Sequence, residues 1–122
     1  MPVQIKRIYE QVSEKDGYRV LVDKVWPRGV SKERAKLDEW AKEITPTPEL
    51  RKWFNHEKDK FIVFAEEYKK ELQSNKEGRQ KLNELTNIAV DKEVTLVFAA
   101  KDEKYNHAVL LQQWMEEKLE KE

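Results

Sequence analysis

The chain has 122 residues, 24 of them basic and 24 acidic, and no cysteine. This length suits one domain, residues 1–122, with its own core. The lack of thiols excludes disulfides, thiolate metal sites and cysteine nucleophiles, and the balanced charge argues against a general nucleic-acid binder, whose affinity rests on a basic surface.

Four Trp, four Tyr and four Phe provide core anchors despite the abundant charge. The N-terminal residues lack the apolar segment of a leader peptide, and no apolar run approaches the roughly 20 residues of a membrane span. A cytoplasmic protein without membrane contact is therefore expected, in keeping with a reducing compartment.

In chain order, Gln4–Glu10 carries Ile5, Ile8 and Tyr9 and reads as a first strand. Ser13–Gly17 is polar and ends in Asp16-Gly17, a turn signal that predicts a hairpin with the next strand. Tyr18–Val25 contains Val20, Leu21 and Val22 without alternation, the pattern of a strand buried on both faces of a covered sheet. Trp26 precedes Pro27 and should be extended. Ser31 reads as the N-cap of a helix carrying Ala35, Leu37, Trp40 and Ala41. Thr45-Pro46-Thr47-Pro48 ends that helix, and Thr47 with Pro48 opens a short one running to Trp53-Phe54. Glu57–Leu72 is the clearest helix, with Phe61, Phe64, Tyr68 and Leu72 on one face. Ser74 and Glu77 form a capping-box pattern for another helix, weakened by Gly78. Glu93–Ala100 is a second buried strand, followed by a polar cluster and a final helix bearing Ala108, Leu111, Trp114 or Met115, and Leu119 inward. Trp40, Trp53 and Trp114 lie at helical spacing and are expected in the core.

This order of elements predicts an α/β fold, a small three-layer, Rossmann-like domain whose mostly parallel or mixed sheet is covered by helices. Two buried strands far apart in sequence each end in a charged loop. If they are parallel neighbours, both loops meet at one carboxyl edge, where such folds bind ligands.

Several segments carry a family resemblance. Arg19–Gly29 resembles the RVLVD-(R/K)-x-WPRG signature of the YeaO-like family, the domain of unknown function family numbered 488. Leu50–His56 resembles its LRxWFxH stretch, and Thr95–Asp102 with Asn106 its TLLYAAKD…N stretch. The resemblance spans the chain and implies a small cytoplasmic α/β protein of three-layer type. It places the polar motif positions at Asp23, Arg28, Asp38, Arg51, His56, Lys101, Asp102 and Asn106. Lys24 stands where an arginine is common in the family, which turns a bidentate anion contact into a point charge. Longer relatives carry cysteines near the last strand, so any thiol chemistry of theirs does not transfer to this chain.

The candidate catalytic residues are Asp23 and Asp102, each able to handle a proton. The candidate ligand-binding residues are Trp26, Arg28, Lys101, Asn106, His56 and His107. Arg28 and Lys101 supply charge for an anion, Trp26 an apolar wall, and Asn106 lies near a helix start that favours negative charge. Each also has a structural reading: Arg28 as a loop-pinning ion pair, Asp23 as an acceptor of loop amides, Lys101-Asp102 as a helix entry with Asp102 or Asn106 as the cap, His56 as the turn between two helices, Trp26 as core packing and His107 as a residue facing solvent.

No metal site is expected, because two histidines without ligand spacing do not form one, and no cofactor is expected. Gly-rich phosphate loops, GxSxG and HExxH are absent. The function that follows is binding of a small anionic, nucleotide-like ligand at the carboxyl edge, with the reaction unassigned. The alternatives are a nucleic-acid-associated or regulatory protein, drawing on Lys32, Arg34 and Lys36, and a non-enzymatic interaction module. Oligomeric state is left open by the sequence.

Overall fold

The apolar runs at Val20–Val22 and Val94–Phe98 are the centre of a covered sheet. The computed structural model describes residues 2–121. Among them are four strands, β1 (Val3–Arg7), β2 (Tyr18–Leu21), β3 (Glu39–Trp40) and β4 (Val94–Phe98), in the order β1-β4-β2-β3. Every pairing is parallel, with Leu21 opposite Val97 and Ile5 opposite Leu96.

Five α-helices accompany them among the described residues: α1 (Lys32–Ala35), α2 (Pro48–Phe54), α3 (Phe61–Ser74) and α4 (Lys76–Asp91) before β4, and α5 (His107–Lys121) after it. Val20, Val22, Leu96 and Phe98 pack into one core with Phe64, Tyr68, Leu85, Leu111 and Met115. Leu21 and Val97, one residue out of phase, pack into a second, smaller core with Ile8 and Ala35, covered by Trp26 and Trp40. Both faces of β2 and β4 are thus buried, which is why their apolar residues run without alternation. The result is a three-layer α/β domain whose second outer layer is thin. No described helix is long and apolar enough to cross a membrane.

The predicted hairpin is not formed. β4 lies between β1 and β2, with Val94 N–H bonded to the Pro2 carbonyl and Tyr18 N–H to the Glu93 carbonyl, both at 2.8 Å. The Asp-Gly signal belongs instead to a 3-10 turn, Glu14–Asp16, capped by Ser13. Asp16 is pinned by Lys6 and Arg19, which holds the crossing chain where a hairpin turn would otherwise sit. Gly17 takes φ 65° and ψ −129°, a region open essentially to glycine. A Cβ there would lie 2.2 Å from the Glu93 carbonyl oxygen. Gly17→Ala is expected to destabilise the fold by about 1–3 kcal/mol, measured as a lower urea midpoint with unchanged slope.

The helix predicted from Ser31 through Ala41 stops at Ala35. Ser31 does cap it, accepting from the Arg34 N–H at 3.1 Å, but Lys36 turns left-handed at φ 46°. Trp40 then lies in β3, pairs with Leu21, meets Trp26 edge-on at 5.4 Å, and donates its indole N–H to the Asp23 carbonyl at 2.6 Å. Pairing along the edge of β2 outweighs the helical periodicity.

Smaller differences follow the same logic. α3 begins at Phe61 after a 3-10 turn, Lys58–Lys60, rather than at Glu57. The cap of α4 is Asn75, one residue after Ser74. Gly78 is a packing residue, since a Cβ there would lie 2.9 Å from the Glu43 carbonyl oxygen. Trp53 is 42% exposed rather than in the core; the α2 face that packs against α3 is carried by Leu50 and Phe54 instead.

Candidate functional site

Because β2 and β4 are parallel neighbours, the residues that follow them emerge side by side. Val22 N–H extends the ladder to the Val97 carbonyl at 2.9 Å. Asp23 Oδ2 then accepts the Ala99 N–H at 2.9 Å, so this carboxylate ties the two strand ends together. The 99–100 turn is held from the other side by Arg7, which donates Nε to the Ala100 carbonyl and Nη2 to the Ala99 carbonyl at 2.9 and 3.1 Å.

A pocket of about 780 Å³ opens at this edge. Phe54, Phe64, Pro46, Pro48, Ala99 and Ala100 give it apolar walls, while Arg51, Lys52, Lys101, His56, His107, Asp23, Asp102, Asn55 and Asn106 give it polar ones. A second cleft of about 640 Å³, over Leu50, Trp53 and Val63, carries glutamates and one lysine but no histidine or arginine.

Six of the eight candidate residues therefore line one cavity: Asp23, Asp102, Lys101, Asn106, His56 and His107. They differ in how free they are. Asn106 is buried; its Nδ2 donates to the Asp102 carbonyl at 2.7 Å and its Oδ1 accepts the Val109 N–H at 3.1 Å, so its amide is engaged in starting α5. Asp102 Oδ1 accepts the N–H groups of Lys104 and Tyr105 at 2.9 and 3.0 Å. These amides, Tyr105 first, hold its carboxyl below the usual value, and the charges of Lys58 and His56 add to the effect. His107 Nε2 lies 3.1 Å from Asp23 Oδ1 and 2.6 Å from the Val22 carbonyl oxygen.

His56 has φ 56° directly after Asn55 at φ 47°. Asparagine takes this conformation at helix ends readily; a second consecutive left-handed residue is strained. The turn aims the chain back across the pocket mouth, with the His56 ring 6.3 Å from that of Phe54.

Trp26 and Arg28 lie elsewhere. Trp26 donates its indole N–H to the Val30 carbonyl at 2.7 Å and packs in the smaller core. Arg28 is exposed, and its backbone carbonyl accepts from the Tyr9 hydroxyl at 3.2 Å. The Trp-Pro-Arg-Gly segment turns away toward the face covered by α1, because the Trp26–Trp40 contact draws it there.

Arg51 and Lys52 take the place expected of Arg28. Both sit in the last turn of α2, beside the Asn55-His56 turn. Arg51 was legible as a motif position in the Leu50–His56 stretch; Lys52 gave no separate signal. Among the described residues, Arg51, Lys52 and Lys101 form no salt bridge.

The family profile that matches residues 2–122 is described as the inactive DUF488-N3 subclade. The chain belongs to this DUF488 subclade. It is 45% identical over 116 residues to the uncharacterized protein YeaO of Escherichia coli K12, covering 94% of this chain and 97% of that one. It is 37% identical over 111 residues to the uncharacterized protein Rv3073c of Mycobacterium tuberculosis H37Rv, covering 91% of each chain. No solved structure matches the chain. The DUF488 assignment agrees with the motif resemblance of Arg19–Gly29, Leu50–His56 and Thr95–Asp102.

Proposed function

We propose that this chain is a cytoplasmic protein that binds a small anionic, nucleotide-sized ligand in the carboxyl-edge pocket, without covalent turnover. The observation that carries this reading is an imbalance of free charge. Arg51, Lys52 and Lys101 border the pocket without salt bridges among the described residues, whereas Asp23 is engaged with Ala99 and His107. An anion would find donors there, and the apolar walls would take a ring or a short chain.

Two further facts support binding rather than chemistry. The lining residues include no serine, threonine, tyrosine or cysteine, so His107 has no hydroxyl or thiol beside it to activate as a nucleophile. The subclade's description as inactive agrees. Surface lysines paired with glutamate, such as Lys70 with Glu67 and Lys81 with Glu39 and Glu84, support a small ligand over nucleic acid. Exposed Trp53, Ile62 and Val63 favour, as a second reading, an interaction surface on α2 and α3.

The test is a thermal-shift panel of inorganic phosphate, nucleoside monophosphates and dicarboxylates on wild type, Arg51→Ala, Lys101→Ala and Arg28→Ala. A ligand at a hundredfold its Kd stabilises wild type by about 2.7 kcal/mol, a rise of about 10 °C. That rise is expected to shrink by more than half in Arg51→Ala and Lys101→Ala and to persist in Arg28→Ala, whose side chain lies outside the pocket. Equal shifts in all four proteins would place binding elsewhere.

A further inference from the structure

His107 starts α5 with its ring set against two acceptors. Nε2 is 2.6 Å from the Val22 carbonyl oxygen and 3.1 Å from Asp23 Oδ1. A carbonyl has only lone pairs to offer, and the other oxygen of Asp23 already accepts the Ala99 N–H. Nε2 therefore carries a proton. In the neutral ring the lone pair then sits on Nδ1.

Nδ1 takes part in no hydrogen bond among the described residues. It is not sealed in the interior either, since the buried side-chain nitrogens and oxygens without a partner there are Glu93 Oε1 and Glu116 Oε1. The side chain keeps 12% of its surface accessible, and the residue lines the pocket.

We infer that His107 presents Nδ1 to the pocket as a hydrogen-bond acceptor, so that the ligand is an anion that also carries an O–H or N–H donor. This inference rests on the anion-binding reading of the same pocket and specifies the ligand further. The cations at the rim can only donate, and the side chains of Asp23 and Asn106 are occupied within the fold, which leaves Nδ1 as an open acceptor together with Asp102 Oδ2, whose partner oxygen alone is engaged. A ligand with acceptors alone would cover Nδ1 and leave it without a partner, a loss that a matching donor avoids. Asp23 is accordingly a positioning residue: it lines the pocket, but its two oxygens are turned to the Ala99 N–H and to His107 Nε2, where it helps fix the tautomer.

The experiment has two arms. Nitrogen-15 NMR of histidine-labelled wild type at pH 8 reads the His107 tautomer directly, with Nε2 protonated and Nδ1 bare as the expected result. Titration then compares benzoate with 2-, 3- and 4-hydroxybenzoate on wild type, His107→Gln and Asp23→Asn. At least one hydroxylated isomer is expected to bind wild type about fivefold tighter than benzoate and to move the Nδ1 resonance, and this advantage should vanish in His107→Gln. A proton on Nδ1 in the free protein overturns the inference without recourse to any variant. Equal affinity for all four probes overturns it while leaving anion binding intact. Failure of all four to bind overturns the anion-binding reading itself, and the donor inference with it.

Discussion

Replacing Arg19 by Met is expected to lower folding stability by about 3–5 kcal/mol. The guanidinium is nearly sealed, with 4% of its side chain accessible, and three of its nitrogens are engaged. Nη1 pairs with Asp16 Oδ2 at 2.7 Å, while Nε and Nη2 donate to the Ala35 carbonyl at 3.1 and 2.8 Å. Methionine fills much of the volume but leaves the Asp16 carboxylate buried with Lys6 as its remaining cation, and leaves the end of α1 without its donor. Breaking one side of a buried pair costs more than the pair itself contributes, because the orphaned charge stays desolvated. Urea unfolding followed by circular dichroism checks this; a loss below about 1 kcal/mol, the scale of a surface pair, would show that the network contributes little.

The same network sets an acid limit. Burial acts to raise the Asp16 carboxyl, but the Ser13 amide, Lys6 and Arg19 together outweigh it and hold the group below its ordinary value of 3.8. A carboxylate with a depressed folded value adds stability that is complete above the unfolded value. That stability is lost as pH falls below about 4 and through the folded value. Asp16→Asn should flatten this limb of the stability curve while lowering stability at neutral pH.

Tyr68→Ala is the second large effect, expected at about 3–5 kcal/mol. Tyr68 is fully buried on α3. Its ring lies 5.8 Å from Phe64, 5.1 Å from Trp114 and 6.4 Å from His107, and its hydroxyl donates to the Ile44 carbonyl. Truncation opens a cavity beneath the pocket and strands that carbonyl. Tyr68→Phe keeps the ring and should cost about 1–3 kcal/mol, the penalty of leaving a buried acceptor unpaired. Thermal and chemical unfolding of the two variants separate packing from the hydrogen bond; equal losses would mean that the ring contributes nothing.

Alkaline behaviour follows from the same residue. Burial, reinforced by Glu71 and Asp23, pushes the Tyr68 phenol well above 10, and burial with the Glu39 hydrogen bond raises Tyr18 to about 12. The protonated phenol is the form that the fold favours, so its contribution is complete below the unfolded value near 10. It falls away as pH rises from there toward the folded value. Tyr68→Phe should lose stability less steeply above pH 10 than wild type.

The candidate site was readable in outline because its strands announce themselves. Val20–Val22 and Val94–Phe98 are apolar on both faces, and Asp23 and Lys101-Asp102 end them, so one carboxyl edge could be expected to hold both loops. Arg28 lies outside the pocket for a physical reason. Its neighbours Trp26 and Pro27 read as a loop at the strand end, with Trp26 open to a ligand wall or to the core; Trp40 draws Trp26 into the smaller core, and Arg28 follows it away from the pocket. Trp40 itself reads as helical until its pairing with Leu21 is known. Arg51 and Lys52, near neither strand in sequence, reach the pocket because α2 lies across the sheet edge.

Local chemistry by itself determined the α/β class, the covered strands, the Thr47-Pro48 helix start and the absence of thiol chemistry, since each depends on residue type and short-range spacing. The tertiary structure alone decided that β4 enters between β1 and β2, that a guanidinium from α2 replaces Arg28 at the pocket, and that His107 carries its proton on Nε2. Those outcomes depend on which backbone and side-chain groups remain unpaired after packing, and that balance is struck between segments up to a hundred residues apart.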